Sequence, residues 1–259
     1  MSAIGRLIHL KSDGADDSEA IRWSHRPCLM ITGCWLAGVL VVHLLHTCQV
    51  FAHKVFGEGF WSDQTVRAIF SVQGEQTVPA WFSGMMLWTA GIGALALGVL
   101  NAKHDRKIGA LWCLLGAAFV YLSADEVVSI HEKLNGPAML VVGDSDVAAA
   151  PWIIFGIFFA GIIGLCCLPL LFSVTRTVRN TMILAGVVYV GAAIGVEYVG
   201  EVIKAVYYTG EYSKVYTLFF SIEELLEMLG VVLFLHAISL QFASQWRVQA
   251  VTEPVQRTE

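Results

Sequence analysis

Six stretches of the chain are apolar enough and long enough to cross a bilayer: residues 28–50, 80–101, 109–131, 151–173, 181–206 and 217–240. A hydrocarbon core of roughly 30 Å takes about 20 helical residues to span. Only a helix or a closed barrel satisfies the backbone N–H and C=O groups where there is no water. Each stretch is therefore predicted as one transmembrane helix. Together they make residues 27–241 an all-α, polytopic membrane domain, with a polar segment (1–26) before it and a tail (242–259) after it.

The polar connections alternate in charge. Arg6, Lys11, Arg22 and Arg26 precede the first span, and Lys103, Arg106 and Lys107 follow the second. Arg176 and Arg179 follow the fourth, and Arg247 and Arg257 lie in the tail. The other connections, 51–79, 132–150 and 207–216, hold few basic residues. Lys and Arg concentrate on the cytoplasmic side of short loops. Both termini are thus expected in the cytoplasm, with the protein in a bacterial inner membrane. The leader is too long for the charged region of a signal peptide, so the first span is expected to remain as an anchor.

Composition narrows the class. Hydrophobic residues make up 56% and charged residues 14%, with mean hydropathy +0.66, which leaves no room for a separate soluble domain. No basic patch interleaved with aromatics points to nucleic acid. All six cysteines fall within spans without a CxxC spacing, so they are expected to be small buried hydrophobes.

The candidate chemistry lies in the acids inside these spans. The third span ends in Ser123-Ala-Asp125-Glu126-Val-Val-Ser129-Ile-His131-Glu132. At about 100° per residue, a continuous helix puts Tyr121, Asp125 and Glu132 on one stripe, with Glu126 and His131 flanking it. The fifth span carries Glu197, Glu201, Lys204 and Tyr208 on one face. On that count Tyr189 only borders the face, while Gly191 and Gly195 lie opposite it. The sixth opens with Glu223, Glu224 and Glu227, and Gly230 continues that face inward, where its small size would let a neighbour close the site from below. His43 and His46, one turn apart near the outer end of the first span, complete the set, with His53 beyond them. The orientation brings all of these to one level near the periplasmic face. The second and fourth spans, without acids, are expected to be scaffold. Gly91, Gly93 and Gly98 would allow close helix approach.

Carboxylates in hydrocarbon must be paired, protonated or metal-bound. Lys204, with Lys133 near the surface, cannot neutralise Asp125, Glu126, Glu132, Glu197, Glu201, Glu223, Glu224 and Glu227. The leading expectation is a metal site, dinuclear, built from these acids with His43, His46 and His131. The metals would be divalent, iron first, with manganese or zinc as alternatives. Helical-bundle di-iron and di-manganese proteins use such an inventory, although their Glu-x-x-His spacing is absent here. Oxidoreductase chemistry on a lipid-soluble substrate would follow, with Tyr121, Lys204 and Tyr208 as catalytic candidates. Two other readings stay open: a cation- or proton-coupled transporter, and a non-catalytic subunit of a larger membrane complex. A serine hydrolase using Ser123 or Ser129 is a further, weaker reading.

Overall fold

The computed structural model describes residues 16–56, 69–72, 74, 76–143, 150–207 and 213–252. Its helices are α1 (Asp16–Phe56), α2 (Val78–Ala102), α3 (Arg106–Val128), α4 (Ile130–Lys133), α5 (Asn135–Val142), α6 (Ile153–Ser173) and α7 (Arg176–Val190). A π-helical segment, Gly191–Val196, leads into α8 (Glu197–Tyr207), and α9 (Ser213–Thr252) ends the bundle. Among the described residues there is no strand. The chain is a helical membrane protein. Five segments are long and apolar enough to cross a bilayer: Arg26–Phe51, Val78–Ala102, Arg106–Val128, Ile153–Ser173 and Arg176–Ile203. The expected sixth span falls on α9, which runs through the middle of the bundle with α1, α2, α7, the π segment and α8 packed on it.

Lipid tails are as apolar as leucine, so these helices associate through close packing rather than through escape from water. The α2–α3 pair shows how. Gly84, Gly91 and Gly98 recur every seventh residue on α2, and Gly109, Gly116 and Ser123 do so on α3. The helices run antiparallel with these residues facing each other. A Cβ on Gly91 would stand 3.0 Å from the Gly116 carbonyl oxygen, and one on Gly98 would stand 3.0 Å from that of Gly109. At the end nearer the acids the Ser123 hydroxyl donates to the Gly84 carbonyl at 2.7 Å. Gly93 serves a different contact, with α9, where its Cβ would lie 3.1 Å from Ile238. Side-chain caps define the helix starts: Thr77 accepts from the Ala80 amide, and Asp105 from those of Lys107 and Ile108.

The core is formed where α2 meets α9. Met86, Leu87, Ala90, Ala94 and Leu97 of α2 are buried with Met228, Val231 and Ala237 of α9, and Trp112 of α3 joins them. Phe119 of α3 stacks on Phe234 of α9 with ring centroids 4.2 Å apart. Beyond that contact the packing opens. α3 and α7 make no substantial contact, and α6 lies across the gap, packed on α3 and more lightly on α7. α1 sits on the far side of α9 and α2 from this opening.

Candidate functional site

α3 does not continue through the acidic motif. It stops at Val128, and Ser129 adopts φ 55° and ψ 52°, the left-handed conformation that often ends helices. Among the described residues it is the one non-glycine with positive φ. The exposed carbonyls of the last turn, where the helix dipole is negative, receive the Lys133 ammonium, which donates to Val128 and Ser129. α4 then restarts the chain in a new direction. The single stripe expected from an unbroken helix is thereby corrected. The turn brings His131 back over Asp125 rather than leaving it beside the stripe.

Asp125 holds that return in place. One carboxylate oxygen accepts the His131 backbone N–H at 2.7 Å, and the other pairs with His131 Nδ1 at 2.9 Å. His131 lies past the end of its span. Burial alone would lower its pKa, but the Asp125 hydrogen bond and charge, with Glu197 and Glu132, outweigh it and hold it above the ordinary value. With Nδ1 engaged by a carboxylate, Nε2 is the ring nitrogen left to act as base or ligand.

Trp152, a residue the sequence reasoning passed over, ties this unit to the other wall. Its indole N–H donates to Glu197 at 2.8 Å, and its ring centroid lies 4.7 Å from that of His131. Its backbone N–H donates to the Asn135 side chain at 3.0 Å. A chain of contacts therefore runs from Asp125 through His131 and Trp152 to Glu197, across the gap between α3 and α8. The available signal was positional: an indole beside Pro151 at the end of a span, level with the acids.

The π segment alters the phase of the fifth span. Its wider turns take up more residues per revolution than an α-helix does, so rotation across 191–196 is smaller than the α count assumes. Tyr189, expected to border the acidic face, lines the same cavity as Glu197 and Glu201, and Gly191 and Gly195 also line it. A Cβ on either glycine meets nothing within 4 Å, so neither serves tight packing. Gly230 does: its Cβ would stand 2.9 Å from the Tyr189 backbone nitrogen, and α7 closes on α9 there as its small size had suggested.

These elements enclose a cavity of about 1250 Å³. Asp125, Glu126, Glu132, Glu197, Glu201, Glu223, Glu224 and Glu227 all line it, with His131 and Tyr121. Tyr121 also packs against Phe159 of α6, with ring centroids 5.3 Å apart. The expectation that the fourth span is mere scaffold is corrected, because α6 forms one wall. The first span's contribution is corrected as well. His43 and His46 do not line the cavity, since α1 packs behind α9 and α2. His46 Nδ1 accepts the N–H of Val72, a residue that lines the cavity, at 3.4 Å. The His43 Nε2 is buried with no hydrogen-bond partner among the described residues. Lys204 lies on α8, but its side chain, like that of His53, is outside the described residues, as is Tyr208 altogether.

The carboxylates surround the space without meeting at a point. Among the described residues, no group of three or more His, Cys, Asp or Glu side chains is gathered closely enough to hold a metal ion as placed. The arrangement offers a carboxyl-rich end to a cavity that is otherwise apolar.

Comparison with known proteins adds the family. The model of a domain of unknown function, DUF8692, matches residues 29–242, and the chain belongs to that family. No curated protein and no solved structure matches it.

Proposed function

We propose that this DUF8692 protein spans the bacterial inner membrane six times with both termini in the cytoplasm. In this reading α9 is the sixth span, and the acidic end of the cavity lies near the periplasmic face. The cavity binds divalent metal ions, a pair of iron ions first, with manganese or zinc as alternatives, and acts as an oxidoreductase on a lipid-soluble substrate. The observation that supports this is the gathering of eight carboxylates and one carboxylate-oriented imidazole from α3, α4, α8 and α9 around a single membrane cavity.

The inventory suits the role. Asp125 fixes the His131 ring through Nδ1 and raises its basicity, as a carboxylate hydrogen-bonded to the far nitrogen of a ligating histidine does. Glu132, Glu197, Glu201, Glu223 and Glu227, with His131, would be the residues to hold the ions. A bound pair would supply redox or Lewis-acid chemistry. Tyr121 and Tyr189 line the cavity and are the aromatic groups placed to pass a proton or an electron. The deep half of the cavity is apolar, which favours a substrate site over a cation conduit, because a conduit needs polar groups along its whole depth.

The test is elemental analysis of the purified protein beside a Glu223→Ala, Glu227→Ala double variant. The expected result is about two equivalents of iron or manganese, largely lost in the variant. A folded, metal-free wild-type protein would sink the reading and turn attention to proton or cation flux in liposomes.

A further inference from the structure

The deep part of the cavity is used by none of the acids. From Glu197 its wall runs inward along the π segment and α7 to Met182, about 22 Å of helix at about 1.5 Å per residue. On α6 it reaches from Trp152 to Leu171. Glycines along it include Gly161 and Gly164 on α6, and Gly186, Gly191 and Gly195 on the facing wall. A Cβ added to any of the five meets no atom within 4 Å. The glycines that bring helices together elsewhere, such as Gly91 and Gly98, have atoms of a neighbouring helix within 3.0 Å of the same position. The five therefore do not serve helix packing. Their missing side chains keep a long apolar slot open beneath an acidic end.

The acidic end selects the head of whatever enters. Among the described residues no lysine or arginine lines the cavity. Even with Lys204 counted, the carboxylates remain in excess. A phosphate or carboxylate head would find carboxyl groups in place of the Arg or Lys clamp that such anions use. A hydroxyl or amino head would find acceptors. The slot is longer than half of the roughly 30 Å hydrocarbon core, so it suits an extended chain better than a compact ring.

We propose that the cavity binds a single-chain amphiphile with a hydroxyl or amino head among the carboxylates and its tail in the glycine-lined slot. This names the substrate class of the site described above and rests on that reading of it as a substrate site. The test measures binding of tritiated hexadecylamine, hexadecanol and hexadecyl phosphate to the full chain in phosphatidylcholine nanodiscs, with metal content determined on the same samples. Gly186→Trp and Gly164→Leu fill the slot from opposite walls and leave every carboxylate in place, so each checks the other if one misfolds. The amine and the alcohol bind saturably, the phosphate binds at least about ten-fold more weakly, and each glycine variant loses about ten-fold in affinity with its metal unchanged. Phosphate binding as tight as the amine, or wild-type affinity in both variants, overturns the proposal. Amphiphile binding by a metal-free protein upholds it while removing the metal reading. Metal without amphiphile binding does the reverse.

Discussion

Replacing Asp125 with asparagine tests the join between α3 and α4 and gives a sign as well as a size. The carboxylate accepts the His131 backbone N–H at 2.7 Å and pairs with Nδ1 at 2.9 Å. Asparagine keeps one acceptor oxygen for the backbone donor but presents an NH₂ group to Nδ1, so the charged half of the interaction is lost. Hydrogen bonds to charged groups contribute about 1.5–3 kcal/mol. The pair is partly solvated, with 14% of the Asp125 side chain and 28% of the His131 side chain exposed, so the lower end applies. A loss of about 1.5 kcal/mol lowers Tm by about 3–6 °C in a chain of this size. The His131 pKa is raised in the folded protein. Its contribution is therefore complete below the unfolded value of about 6.5 and disappears as pH rises through the folded value. Thermal unfolding of both proteins in detergent, with chelator present so that metal plays no part, should show a larger Tm deficit at about pH 5.5 than at about pH 9. A deficit that is constant or grows with pH would refute the charged Asp125–His131 pairing.

Other expectations follow from the same packing. Gly91→Leu should destabilise the protein by about 1–3 kcal/mol or more, because its side chain meets Val120 and the Gly116 carbonyl, whereas Gly161→Leu should be near neutral. Thermal melts of the two variants side by side decide this, and equal shifts would count against the close α2–α3 approach. At Ser129, whose φ is 55°, glycine should be tolerated or slightly stabilising, while valine should cost about 1–2 kcal/mol. If valine melts with the wild type, the left-handed break is not there.

Much of the bundle was legible because a bilayer leaves the chain few choices. Apolar runs of the right length become helices. Gly91, Gly93 and Gly98 lie open in the sequence, and close helix approach at each was expected from their small size. The acids of α3, α8 and α9 do line one cavity, because side chains this costly in hydrocarbon are turned away from lipid. His43 and His46 were misassigned for a different reason. Depth along a helix can be counted from sequence, but which neighbour the helix meets cannot, and α1 packs behind α9 and α2.

The sequence by itself determined that this is a helical membrane protein, and which residues carry its charge, since both depend on local composition and on transfer between water and hydrocarbon. Only the tertiary structure decided the rest. Ser129 breaks α3 so that His131 turns back to Asp125, and the π segment brings Tyr189 toward the face of Glu197. Trp152 then bridges His131 and Glu197 from a helix with no charge of its own. Each of these depends on a change of helical phase or on a contact between distant segments. A periodicity counted along one unbroken helix contains neither.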